Sequence, residues 1–336
     1  MIKEAIAIVA EGTSLSVEQA QTVMLEILEG RATPAQFGAL MMALRLKGET
    51  PGELTGFATA MRTKVMPVAT SQPVVDTCGT GGDGTHSFNI STAAAIVVSA
   101  AGVPVAKHGN RAMSSSCGSA DVLEGLGVPI TLGPVQVARS IDMVGFGFMF
   151  APMYHPSMKF AAPLRREIGT RTVFNILGPL TNPAGARFQL IGVPNVYVGE
   201  KVAAALVGLG TDHALVVAGD GGTDELTLSG PSHVWEVRAG DVKRYTLEAA
   251  DVGVQSHARD RIKGGDVATN VRIIHSILGG DEGAPTDAVL LNAGAALFAA
   301  DQVRSIADGV TRAREAITSG VASTKLTDIV AAGKTL

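Results

Sequence analysis

The stretch DTCGTGGDGTHSFNIST, residues 76–92, decides how the rest of the chain is read. Residues 74–77 just before it have the apolar, β-branched character of a strand. The run AAAIVV at 93–98 reads as a buried helix that begins at Asn89. Between them, four glycines fall within the six residues from Gly79 to Gly84. Glycine reaches positive φ without strain and lets backbone N–H groups approach a ligand closely. A helix start adds unpaired N–H donors and a partial positive charge, which suits phosphate. Asn89, Ser91 and Thr92 add side-chain donors. The pattern is neither a Walker A loop nor the G-x-G-x-x-G dinucleotide form. Asp83 inside the loop would repel a bare phosphate, so it points to sugar hydroxyls or a divalent cation as well.

Working outward, a second strand–loop–helix unit follows. Residues 103–106 read as a strand, Lys107-His108-Gly109-Asn110-Arg111 as a loop, and Ser114-Ser115-Ser116-Cys117-Gly118-Ser119 as the approach to a helix over 120–126. Two adjacent crossover loops at the carboxyl ends of parallel strands converge on one crevice. One offers backbone donors and an acid, the other Lys107, Arg111 and hydroxyls. A ligand with two phosphate groups and a sugar between them fits that pair. Further on, Asp224-Glu225 follows a strand and the turn Gly219-Asp220-Gly221-Gly222. An acidic pair on a turn is usually only solvated. Beside a diphosphate it suits Mg²⁺, which takes a few carboxylates plus phosphate oxygens.

These units belong to an alternation of short apolar strands and helices that starts near Met66-Pro67, the pattern of an α/β domain with a mostly parallel central sheet flanked by helices. Before it, residues 1–66 read as a small helical domain. Ser16 with Gln19, Thr33 with Gln36 and Thr50 with Glu53 have capping-box spacing, and Gly30 and Gly48 are placed to end helices. The last part of the chain returns to Ala-rich helices. A doubly wound domain with helical additions and a (β/α)8 barrel both fit the length; the helical lobe ahead of the first strand favours the former.

The chain has 336 residues, 46% apolar and 17% charged, with net charge −4 and no long basic run. This is the composition of a globular protein and argues against general binding to nucleic acid or anionic membranes. The longest apolar tract, residues 93–106, is broken by Ser99, Gly102 and Pro104 and is too short to span a bilayer. The two cysteines, Cys78 and Cys117, have no metal-ligand or redox spacing, and with no secretory signal a cytoplasmic location is expected.

GTGGD (79–83), NIST (89–92), KHGNR (107–111), the run HPSMKFAAPLRREIGTRTVFNILGPLTNP (155–183) and DE (224–225), in this order and spacing, resemble the anthranilate phosphoribosyltransferases over essentially the whole chain. The resemblance implies a nucleoside phosphorylase/phosphoribosyltransferase-like fold. It also implies a helical lobe over 1–66 joined by helices from about 156–180, an α/β domain over 67–336 that binds phosphoribosyl pyrophosphate (PRPP), and a homodimer formed through the helical lobe. The implied reaction joins anthranilate to PRPP with Mg²⁺, as a step of tryptophan biosynthesis. The PRPP loop then falls on Gly79, Thr80, Gly81, Gly82 and Asp83, continued by Ser87, Asn89, Ile90, Ser91 and Thr92. A second PRPP segment falls on Lys107, His108, Gly109, Asn110 and Arg111, then Ala112, Met113, Ser114, Ser115 and Ser119. Gly79, Asn110 and Arg165 match anthranilate contacts, and His108 and His155 line its path. Ser91, Asp224 and Glu225 match metal positions. Ser116-Cys117 departs from the Lys-Ser common in the family, which removes one cation from the second loop.

Displacing pyrophosphate from the ribose leaves positive charge on the ring and negative charge on the leaving group, which Mg²⁺, Lys107 and helix N–H groups can stabilise. The amine of anthranilate is already neutral at pH 7 and needs positioning more than deprotonation, so no general base is assigned. Arg165 would hold the anthranilate carboxylate. Three rivals stand beside this reading. A pyrimidine nucleoside phosphorylase is typically about 100 residues longer, and NILGPLTNPA argues against it. A substituted anthranilate is a second possible acceptor. A non-catalytic nucleic-acid-binding relative would be basic, unlike this chain.

Overall fold

The computed structural model describes residues 1–112 and 116–336. Four helices come first: α1 Ile2–Ala10, α2 Val17–Leu28, α3 Pro34–Lys47 and α4 Pro51–Thr63. All three capping boxes are formed, with Ser16, Thr33 and Thr50 each accepting from the backbone three residues on. Glu53 does more than cap. Its carboxylate, fully buried, also accepts from the Leu15 N–H and from Lys47, so one side chain holds the α1–α2 and α3–α4 connections together.

Next come β1 (Val75–Asp76), α5 (Ile90–Ala100), β2 (Val105–Gly109), α6 (Ser119–Gly125), α7 (Pro134–Val144) and β3 (Phe146–Phe150). The short α8 (Ala151–Tyr154), α9 (Met158–Ile168) and α10 (Phe174–Leu177) follow. Then come β4 (Phe188–Gly192), α11 (Val196–Gly208), β5 (His213–Gly219), β6 (Ser232–Arg238) and β7 (Asp241–Leu247). The chain ends with α12 (Val267–Leu278), α13 (Ala284–Ala299), α14 (Ile306–Thr318) and α15 (Val321–Thr335).

Among the described residues, seven strands form one open sheet in the order β3-β2-β1-β4-β5-β6-β7. It is parallel from β3 to β5 and antiparallel at β6 and β7. An open sheet excludes the barrel. Alternation along the buried strands sends side chains to two cores. Leu215 and Val217 pack with α5 and α13 on one face, while Ala214, Val216 and Ala218 pack with α11 and the helical lobe on the other. α9 packs on α2 and α3, and Phe37 of α3 stacks on Phe174 with centroids 5.9 Å apart. Segments far apart in sequence therefore build the lobe together.

The crossovers run one way from β1 to β2 and β3, and the other way from β4 to β5. A topological switch point therefore lies between β1 and β4, and open α/β sheets bind ligands outside the carboxyl ends of the strands at such a point. The glycine loop follows β1. Its Thr80 N–H donates to the carbonyl of Gly192, the last residue of β4, at 2.9 Å.

Candidate functional site

β2 runs through Lys107, His108 and Gly109, so the first half of the expected second loop is strand. The apolar alternation stops at Ala106, which hid this from a sequence reading. The consequence is burial. Lys107 is 1% exposed, and its Nζ donates to Thr77 Oγ1 (3.2 Å) and Ser91 Oγ (3.3 Å). Burial pushes the Lys107 pKa down, and the Asp76 and Glu225 carboxylates oppose that shift. Asp76 is wholly buried, accepting from Asn182 Nδ2 (2.7 Å) and the His108 N–H (3.2 Å). Burial pushes its carboxyl up to about 6, against the pull of Lys107.

Across the crevice stand Asp224 and Glu225. The Gly81 N–H donates to Asp224 Oδ2 at 2.6 Å, and the Ser91 N–H at the start of α5 donates to Glu225 Oε1 at 3.3 Å. The packing here leaves no space for larger residues. A Cβ on Gly192 would lie 1.4 Å from the Asp224 carbonyl oxygen, and one on Gly79 would lie 2.8 Å from Asp224 Oδ2. Asn292 of α13 secures the β5–β6 connection just beyond, bonding both the N–H and the carbonyl of Leu226. Burial first, and neighbouring carboxylates second, push Asp224 up to about 7 and Glu225 well above the usual carboxylate range.

Clustered carboxylates at such cost suit a divalent cation. Glu225 Oε2 is buried with no hydrogen-bond partner among the described residues, and a cavity of about 30 Å³ is lined by Gly79, Ser91, Asp224 and Glu225. That space admits a water-sized guest. Among the described residues no three His, Cys, Asp or Glu side chains enclose a metal by themselves. The donors present, two carboxylates and a serine hydroxyl, fit an ion that takes its remaining ligands from water and phosphate.

Other nominated residues are placed differently. Asp83 accepts from the Thr85 N–H and hydroxyl and from the Asp224 N–H, so its carboxylate shapes the loop. Ile90 and Thr92 are buried against the core. Asn89 also turns inward: its Nδ2 donates to the Cys117 carbonyl, and its Oδ1 accepts from Asn270 of α12. This amide chain joins the two loops from behind. Ser87 pairs through its backbone with Lys263. Asn110 bonds its own neighbour, Oδ1 accepting from the Arg111 N–H, and its backbone is tied to Ser119 Oγ. The Arg111 guanidinium pairs with Asp121 and Glu124 and lies over Phe150, while the Ala112 N–H donates to Asp121. A phosphate contact from Arg111 would have to displace those carboxylates. Met113, Ser114 and Ser115 lie outside the described residues.

Arg165, on α9, is half-buried with its guanidinium 5.1 Å from the centre of the Phe174 ring. Burial pushes its pKa down, and it forms no ion pair among the described residues. A partly desolvated guanidinium with no carboxylate beside it is a donor set that an anionic group would satisfy. His108 and His155 are buried against each other. Sequence reading passed over Asp76, Thr77, Asn182, Gly192 and Asn292. The first two had a visible signal, as the polar end of an apolar strand, and Asn182 lies within the run 155–183.

Residues 3–65 match the glycosyl transferase family helical bundle domain, and residues 71–323 match the α/β domain of the same family. A curated relative from Chloroflexus aurantiacus, anthranilate phosphoribosyltransferase, is 56% identical over 335 residues, 99% of each chain. The structure of the Thermus thermophilus anthranilate phosphoribosyltransferase superposes with TM-score 0.93 at 43% identity, covering 98% of this chain and 99% of that one. The Saccharomyces cerevisiae enzyme in complex with PRPP and Mg superposes with TM-score 0.91 at 26% identity, covering 100% and 98%.

Proposed function

This chain belongs to the anthranilate phosphoribosyltransferases, and from that membership we propose how its residues divide the work. The reaction transfers the phosphoribosyl group of PRPP to the amine of anthranilate, giving N-(5-phosphoribosyl)anthranilate and pyrophosphate in tryptophan biosynthesis. The glycine loop, residues 79–83, cradles the diphosphate with backbone N–H groups. Lys107, held between Thr77 and Ser91, faces the charge that grows on the leaving group. Ser91, Asp224 and Glu225 hold Mg²⁺. When bound, that ion neutralises phosphate oxygens and assists departure of pyrophosphate. Arg165 receives the anthranilate carboxylate, and the neutral imidazoles of His108 and His155 form part of the wall of its path.

The observation that carries this reading is the convergence of Gly81, Ser91, Lys107, Asp224 and Glu225 at the switch point of the sheet. A homodimer through the helical lobe is supported by the apolar side chains left exposed there, Leu46 of α3 and Phe160 of α9. No helix among the described residues is long and apolar enough to cross a membrane. The deciding assay follows anthranilate fluorescence with purified protein, PRPP and Mg²⁺, omitting each in turn. Turnover should require all three. Turnover without Mg²⁺ would refute the metal assignment, and PRPP binding without turnover would refute anthranilate as the acceptor.

A further inference from the structure

Arg171 has no part in the site as described so far. It follows α9, in the segment that completes the helical lobe, and its side chain is exposed. The guanidinium reaches across to the glycine loop. Nη1 donates to the Gly82 carbonyl at 2.5 Å and Nη2 to the Gly81 carbonyl at 3.2 Å. Its own backbone carbonyl accepts from the Arg45 guanidinium on α3. A continuous set of hydrogen bonds therefore runs from the helical lobe to the loop.

Gly81 and Gly82 sit at φ +67° and +68°, two successive left-handed positions. Glycine has little intrinsic preference there, so something else must fix the peptide planes. In a trans peptide the carbonyl and the following N–H point in opposite directions. Drawing the carbonyls of Gly81 and Gly82 toward Arg171 turns the N–H groups of Gly82 and Asp83 the other way. The Gly81 N–H is meanwhile held by Asp224. A loop left to itself could present carbonyl oxygens to an arriving phosphate and repel it. The guanidinium ties those oxygens down, and its fork geometry takes two acceptors at once, which an ammonium does less well.

We infer that Arg171 is a positioning residue for PRPP. It orients the Gly81 and Gly82 peptides so that the N–H groups behind them meet the diphosphate. Through Arg45 it makes that orientation depend on how the helical lobe is seated. This rests on the glycine loop being the PRPP cradle, so the test separates the two.

PRPP binding with Mg²⁺ would be measured by calorimetry, and KM for each substrate by steady-state assay, in the wild type, Arg171→Lys, Arg171→Ala and Arg45→Ala. In Arg171→Lys the PRPP Kd and KM should rise about tenfold, the scale of one charge-assisted hydrogen bond. Arg171→Ala should lose more and recover part of it in millimolar guanidinium. Arg45→Ala should shift PRPP binding in the same direction by less. The anthranilate KM should stay within about twofold throughout, because its carboxylate is held elsewhere. Unchanged PRPP binding in Arg171→Ala would overturn the inference. So would a parallel rise in both KM values with a lowered melting temperature, the mark of a merely structural residue. If Arg171→Ala does not fold, Arg171→Lys decides. A wild type that binds no PRPP would refute the cradle itself.

Discussion

His108 Nε2 and His155 Nε2 face each other at 3.2 Å inside the protein, so one ring donates, the other accepts, and neither is charged. Burial, reinforced by the second imidazole, pushes His108 down to about 3, and burial pushes His155 down to about 4. In the unfolded chain both bind protons near pH 6.5. The stability they contribute is therefore complete above pH 6.5 and is lost as pH falls from there toward about 3, the lower of the two folded values. Asp76, pushed up to about 6, acts in the opposite sense, because below that pH the fold binds the proton more readily than the unfolded chain does.

A comparison of variants separates the two effects. His155→Asn should lose less stability than wild type between pH 6.5 and 4 in urea denaturation. Parallel pH curves would mean that the imidazole pair does not stay neutral in the fold.

Replacing Asp224 and Glu225 by Asn and Gln removes both charged donors at the candidate metal position. Even second-sphere losses cost about tenfold in metal affinity. The half-saturating Mg²⁺ concentration for turnover should rise at least about tenfold, and an unchanged Mg²⁺ titration would take the pair out of the metal site.

Arg165→Ala should raise the anthranilate KM by about ten- to a hundredfold, the worth of a charge-assisted pair, and change the PRPP KM little. Arg165→Lys should recover only part of the loss, since the ammonium cannot grip a carboxylate with two parallel bonds. Equal losses for both substrates would sink the assignment.

Gly192→Ala places a Cβ 1.4 Å from the backbone oxygen of Asp224, whereas Gly79→Ala places one 2.8 Å from Asp224 Oδ2 and 3.2 and 3.3 Å from the Gly192 and Asp224 backbone oxygens, a milder clash. The first should destabilise the fold by about 1–3 kcal/mol or more, the cost of overpacking. The second should leave the melting temperature nearer wild type while weakening PRPP binding. Both are read by thermal unfolding alongside calorimetry, and equal melting temperatures would show that the β4 end can shift to make room.

The legible parts of this molecule were the local ones. Capping boxes at Ser16, Thr33 and Thr50 close within one helical turn, so their spacing alone announces them. The glycine loop was visible because glycine at four of six positions has few purposes. The β6–β7 hairpin was not visible. Its outer strand carries Lys243 and Arg244 on exposed positions, and Ala239 occupies a left-handed turn position normally signalled by Asn or Gly. The long-range parts of the site were equally hidden. Asn89 meets Asn270 across 181 residues, and Gly82 meets Arg171 across 89. Nothing periodic in the sequence joins such positions; only the crossovers of the sheet do.

The stacking of Phe37 on Phe174 has a consequence for how the protein is made. The first four helices leave the ribosome early, yet α9 and α10, which cover part of their apolar surface, are still unsynthesised. At about 5–20 residues per second, roughly 5 to 20 seconds of elongation separate α4 from Phe174. For that interval Phe37 and its neighbours have only a partial roof. That surface gains this cover only when the segment carrying Arg165 and Arg171 arrives.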